Sequence, residues 1–205
     1  MTVRRDSGAV LITGAARRIG RCIALDLARD GWAVAIHCNT SLNDAGTLKS
    51  EIEAAGGHAV IVQGDLAEAQ VPERLVVEAV AALGPLTCLV NNASRFEPDE
   101  AGSVTLDSWA AHLDTNLRAP VFLSQHFAAQ LPAERSGNII NIIDQRVWKL
   151  TPKFTVRAMA SICCSNTPQV DGFVIMRPAV CGPTAAFSAS RSTSPLASAG
   201  ISRTL

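Results

Sequence analysis

Apolar residues fall along the first 144 positions in two alternating textures. Short unbroken runs stop at a glycine or a polar pair, and between them lie longer stretches where apolar side chains recur every three or four positions among charges. The runs AVLIT (9–13), WAVAIHC (32–38), HAVIVQGD (58–65), LTCLVNN (86–92) and NIINIID (138–144) are short and nearly continuous. Such runs predict strands buried on both faces. Residues 17–30 set Ile19, Ile23, Leu25 and Leu27 among charges, 41–55 form a second amphipathic stretch ending at Gly56-Gly57, and 67–83 align Val71, Leu75, Val76, Ala79, Val80 and Leu83 on one side. These predict helices. A polar loop (94–104) leads into helical segments over 105–133. Strand–helix alternation at this spacing predicts an α/β fold with a doubly wound parallel sheet.

The texture changes after residue 155. Residues 156–205 hold one acid (Asp171) and four arginines, so 17 of the 18 acidic residues lie upstream. Eight serines, four of the ten prolines and three of the six cysteines are crowded into the same stretch, and SASRSTSPLASAGIS (188–202) is close to low-complexity. Only GFVIM (172–176) is apolar enough for a strand, and Pro168, Pro178 and Pro183 would interrupt a helix. The expected division is a sheet-forming domain over 1–155 and an atypical low-acid tail over 156–205, leaving the sheet incomplete at its C-terminal strands.

Composition narrows the function classes. Eighteen basic and eighteen acidic residues cancel, which points away from nucleic acid and anionic membranes as partners. No apolar run approaches the roughly 20 residues of a membrane helix, and the apolar run of MTVRRDSGAVLITG ends at once in a glycine turn, unlike a signal peptide. The cysteines (22, 38, 88, 163, 164, 181) form no CxxC pair and no Cys/His spacing for a metal. The first three lie in apolar stretches and are expected to be buried free thiols. The expectation is a cytoplasmic protein without metal. Tyrosine is absent from the whole chain.

Candidate chemistry begins at TGAARRIG (13–20), where the first strand turns into a helix. Glycine there lets the backbone approach a pyrophosphate, whose charge meets the helix N-terminus. Gly14 and Gly20 end a TGxxxGxG pattern in which Arg18 replaces the middle glycine and Ile19 precedes the last. The second strand ends in Asn39, Thr40 and Ser41 instead of an acid. An acid there would hold a ribose hydroxyl; hydroxyls beside Arg17 and Arg18 suit a 2′-phosphate and point to NADP(H). The alternative is that both arginines are ordinary solvated residues. GDL (64–66) sets Asp65 and Leu66 after strand three, where the carboxylate could accept from an adenine amino group. NNAS (91–94) puts Asn92, Ala93 and Ser94 where they could line the ribose and nicotinamide. Each of these also fits a plain capping role.

With these motifs in this order, the chain resembles the short-chain dehydrogenase/reductase family. The family's TGxxxGxG, NNAG and downstream asparagine correspond to TGAARRIG, NNAS and Asn116 in DTNLRAP. Within the family it is most similar to the pteridine reductase branch, which carries the same arginine in the glycine loop, NNAS, and an aromatic soon after. The resemblance spans residues 9 to 155. It implies an NADP-binding Rossmann domain, Phe96 stacked on a flat, pterin-like small substrate, and a homo-oligomer, although the tail departs from the segment that supplies part of that interface. Phe96 could equally pack on the domain surface.

The resemblance also implies what should follow. The family takes its proton from a Tyr-x-x-x-Lys helix, and a serine after strand five polarises the carbonyl. Pteridine reductases place an aspartate at that serine, and here Asp144 takes the position. Its alternative is a strand-ending carboxylate that caps the next loop. Arg157 falls where the tyrosine belongs and Ser161 where the lysine belongs. A guanidinium does not release its proton near neutral pH, so Arg157 cannot replace the acid. The abrupt change of acid content, the absent motif and the composition of the tail together look like translation in a different reading frame. The readings left open are a reductase disabled in its catalytic motif, a non-catalytic NADP-binding or interaction module, and a truncated product with no settled fold. Losing the last strands would expose apolar surface on strand five and on Leu117, Val121, Phe122, Leu123, Phe127 and Leu131.

Overall fold

The run Ala9–Ile12 forms strand β1 at the centre of one parallel sheet in a computed structural model that describes residues 8–98, 100, 102–143 and 173–176. Helix α1 (Arg18–Arg29) leads to β2 (Ala33–Cys38), α2 (Leu42–Ala54) to β3 (His58–Gln63), and α3 (Val71–Leu83) to β4 (Leu86–Asn91). Helix α4 (Leu106–Leu113), a π-helical segment (Asp114–Arg118) and α5 (Ala119–Gln130) precede β5 (Asn138–Ile142). The apolar run of the tail supplies β6 (Phe173–Met176) beside β5. The strand order is β3-β2-β1-β4-β5-β6, so the doubly wound sheet expected from the pattern is present. Asp144, Arg157, Ser161 and, apart from β6, the rest of the 156–205 tail lie outside the described residues.

Alternation along β1 explains the two layers of core. Val10 and Ile12 face α1 and α2, joining Ile23, Val34, Ile36, Leu48 and Ile52. Ala9 and Leu11 face the other side with Leu75, Val76, Leu89, Leu123 and Phe127. Burying each large aliphatic side chain contributes about 1.5–3 kcal/mol, and it needs both faces covered, which is why these strands read as unbroken apolar runs.

Boundaries differ from the pattern where side chains compete with the helix. The stretch expected to be helical from residue 67 begins at Val71. Asp65 intervenes: its Oδ1 accepts from the Ala67 N–H at 2.9 Å and its carbonyl accepts from the Glu68 N–H at 3.0 Å, closing a local turn. The 105–133 stretch divides because Thr105 and Ser108 form a reciprocal cap at the start of α4 and the backbone widens over Asp114–Arg118. Within α5, Leu123 and Phe127 are buried; as an i, i+4 pair they share the face turned to the sheet. Val121 and Phe122 on the other face are exposed. The Gln130 side chain fixes the end of α5 by accepting from the Leu86 N–H and donating to the Leu86 carbonyl.

Cys38 and Cys88 are buried free thiols, and burial pushes the Cys88 thiol up to about 12. Cys22 differs from the expectation: it is exposed on the outer face of α1. No helix among the described residues is long and apolar enough to cross a membrane.

Candidate active site at the carboxyl ends of the strands

In a parallel sheet, every strand's carboxyl end opens on the same edge, and the crevice lies where the order reverses, here between β1 and β4. Thr13 joins the two sides. Its hydroxyl accepts from the Asn92 and Ala93 N–H groups at 2.9 and 3.0 Å and lies 3.3 Å from the Val90 carbonyl, to which it donates. The Asn92 amide donates to the Thr13 and Gly14 carbonyls at 2.9 and 3.1 Å. Both its amide hydrogens are thereby committed to the glycine loop, so Asn92 holds the site's walls together.

Gly14 has φ +62°, in the left-handed region that glycine enters freely. A Cβ there would stand 3.0 Å from Ala93 Cα. Gly20 lets α1 begin against the loop itself: an added Cβ would fall 2.4 Å from the Gly14 oxygen and 2.9 Å from Ala15 Cα. Between them, Arg18 also has a positive φ, +52°. It therefore keeps the backbone of the glycine it replaces, at a cost of about 1–2 kcal/mol.

The start of α1 is electrostatically open. Arg17, its N-cap residue, makes no side-chain capping bond, and the first turn contains no acid. The orphan N–H groups and the dipole there favour an anion. The two arginines separate in role. Arg17 pairs with Asp44 in the first turn of α2 at 2.6 Å, which ties the glycine loop to the region after β2. Arg18 is exposed and has no carboxylate partner among the described residues. Asn39 and Thr40 are exposed after β2, and the half-buried Ser41 makes no cap bond at the start of α2. Ile19 is partly exposed on the first turn of α1.

Asp65 begins the turn after β3, in an open cleft of about 530 Å³ lined also by Asn39, Gln63, Glu68, Arg74 and Glu78. Leu66, by contrast, is buried in the core against α3. On the β4 side Ala93 packs against the core, whereas Ser94 and Phe96 are exposed. Asn116 lies in the π-helical segment, and its amide accepts from the Arg95 N–H at 2.8 Å and donates to the Arg95 carbonyl at 3.1 Å. It thus sets the path of the segment that carries Phe96. Such widened turns recur at functional sites.

Three residues of this framework are absent from the sequence reading. His112 is fully buried; it accepts from the Glu97 N–H and donates to the Ser108 carbonyl, fixing the far side of the Phe96 segment. Arg118 donates to the Ala67 carbonyl at 2.6 Å and to Asp114 at 2.8 Å, joining the π-helical segment to the turn after β3. His37 lies at the end of β2, buried against the glycine loop. A histidine inside a run that is otherwise apolar was the only local signal of such a role.

A family model described as short chain dehydrogenase matches residues 8–147. Among curated proteins, the chain is 33% identical over 153 residues to the short-chain dehydrogenase/reductase FrzI of a Cladobotryum species, covering 74% of this chain and 59% of that one. It is 36% identical over 132 residues to the 3-oxoacyl-[acyl-carrier-protein] reductase FabG of Staphylococcus aureus, covering 64% and 54%. Among solved structures, FolM alternative dihydrofolate reductase 1 from Brucella canis, complexed with NADP, is similar at 42% identity and TM-score 0.74 over 78% of this chain and 64% of that one. The chain thus spans less than two thirds of the length of each of these relatives.

Proposed function

The chain belongs to the short-chain dehydrogenase family, and on that premise we propose that it binds NADP(H) across the carboxyl ends of β1, β2, β3 and β4. We further propose that it is a pteridine-reductase-like enzyme deprived of the family's proton donor. The observation that carries the cofactor reading is the open start of α1 beside the Arg18 guanidinium, which has no carboxylate partner among the described residues. The first-turn N–H groups of α1 receive the pyrophosphate, and Gly14 and Gly20 admit it. Arg18, Asn39, Thr40 and Ser41 surround the 2′-phosphate. Asp65 accepts from the adenine amino group, with Leu66 anchoring the turn from below. Ala93 and Ser94 line the nicotinamide side, and Phe96 faces a flat heterocycle.

When bound, NADPH supplies a hydride to a carbonyl or imine carbon. The proton is the chain's task. Asp144 is proposed as a relay carboxylate and Asn116 as the residue that orders the substrate segment. With arginine and serine in place of the family's tyrosine and lysine, the expected behaviour is cofactor binding with little or no turnover. A pterin-like substrate is favoured by the 42% identity to FolM alternative dihydrofolate reductase 1, which is named for dihydrofolate and is complexed with NADP. The setting proposed is cytoplasmic.

Fluorescence titration tests the cofactor assignment. Arg18→Ala should weaken NADPH about 10–100-fold and NADH by less than about threefold, since an arginine–phosphate contact is worth about 1.5–3 kcal/mol. Arg17→Ala should change NADPH affinity by about threefold at most, because its guanidinium already serves Asp44. Equal losses of NADPH and NADH on replacing Arg18 would overturn the 2′-phosphate assignment. Arg18→Gly should lose the same affinity while raising Tm by about 2 °C, the left-handed strain having gone. Turnover of a dihydropterin with NADPH, followed by absorbance, would reveal an acid outside the family motif; binding without turnover favours the non-catalytic module.

A further inference from the structure

We infer that His37 is a positioning residue for the cofactor loop: its uncharged imidazole joins the Gly14 N–H to the Gly64 carbonyl, so that NADP(H) affinity depends on keeping that ring neutral. This inference rests on the cofactor reading above and names a control within the same site.

The geometry leaves the ring one arrangement. Nδ1 lies 3.1 Å from the Gly14 nitrogen, which can only donate, so Nδ1 accepts. Nε2 lies 3.0 Å from the Gly64 oxygen, which can only accept, so Nε2 carries the hydrogen. The His37 carbonyl also accepts from the Ala15 N–H at 2.9 Å. One residue therefore engages the first two amides of the glycine loop and ties them to the turn that carries Asp65. With those amides engaged by His37, an anion is left with the N–H groups at the start of α1, whose position the loop sets.

A second proton on the ring would aim an N–H at the Gly14 N–H and break this arrangement. The site resists that proton mainly by burial, with Arg74 adding to the resistance; the Gly64 carbonyl and Asp65 act the other way, so the His37 pKa is lowered from 6.5. On the loop side, the charged residues are Arg17, held by Asp44, and Arg18, both exposed. A group whose charged form is disfavoured by folding stabilises the fold fully above its unfolded value, and this stabilisation fades as pH falls below about 6.5 toward the folded value.

The experiment compares the full chain with His37→Gln, whose amide offers an acceptor and a donor without titrating, and with His37→Leu, which offers neither. NADPH affinity is measured by fluorescence from about pH 8 to about pH 5, and amide exchange at Gly14 is followed without cofactor. The expected result is that His37→Gln stays within about threefold of the parent at the alkaline end and His37→Leu loses about tenfold or more. On acidification the parent should lose about tenfold more than His37→Gln, which retains only the change due to the 2′-phosphate, titrating at about pH 6. Gly14 exchange should be fast in His37→Leu at every pH, slow in His37→Gln, and pH-sensitive beyond the intrinsic trend in the parent alone. Parallel pH profiles in parent and His37→Gln, or unchanged Gly14 exchange in His37→Leu, would overturn the inference. Were NADPH not to bind at all, the cofactor reading would fail, and Gly14 exchange would still decide the role of His37.

Discussion

Gly20→Ala should lower Tm by about 6–12 °C and remove measurable NADPH binding. The added methyl carbon would meet the Gly14 oxygen at 2.4 Å, the Asn92 Nδ2 at 2.6 Å and Ala15 Cα at 2.9 Å. Two of these three are backbone atoms of the loop, which cannot swing aside as the end of a flexible side chain can. The start of α1 must therefore separate from the loop, and overpacking of this kind costs up to about 3 kcal/mol. Separation also displaces the first-turn N–H groups proposed to hold the pyrophosphate. Thermal unfolding and an NADPH titration check both parts. A Tm within about 2 °C of the parent, with unchanged affinity, would show that α1 does not begin against the loop in solution.

Thr13→Val should destabilise the fold by about 2–4 kcal/mol, whereas Thr13→Ser should cost less than about 1 kcal/mol. Valine keeps the shape but removes the one oxygen that serves both the Asn92 and Ala93 N–H groups. Each orphaned donor in a partly buried position costs about 1–3 kcal/mol, and serine retains the acceptor. Denaturant unfolding of the two variants is the measurement. Equal costs for valine and serine would assign the effect to packing of the methyl group and not to the hydroxyl.

Much of the fold could be read from the chain because its strands are buried on both faces. Such strands must be apolar throughout, so their ends are marked by the first polar or glycine residue, and β1, β2 and β4 lie within a residue or two of their expected bounds. The glycine loop was legible because its geometry requires a particular residue type in a local frame: Gly14 is needed for its backbone angle and Gly20 for close approach. The site was not legible where partners are far apart in sequence. Nothing local assigns Arg17 to Asp44. Nor does anything near Asn92 reveal that its amide turns back to residues 13 and 14, or anything near His37 that it reaches residues 14 and 64. Those pairings follow from the register of parallel strands, which brings the ends of β1, β2, β3 and β4 together only once the sheet has formed.

The central place of β1 also bears on how the chain is made. It precedes the other described strands, yet its neighbours are β2 and β4. A nascent chain can pair β1 with β2 and β2 with β3 from residues 9–63 alone. The second edge of β1 stays unpaired until Leu86–Asn91 has left the ribosome. That edge belongs to four apolar residues, and an open apolar edge is a template for pairing with another chain. Translation through residues 64–91 is therefore the interval in which a chaperone has most to protect.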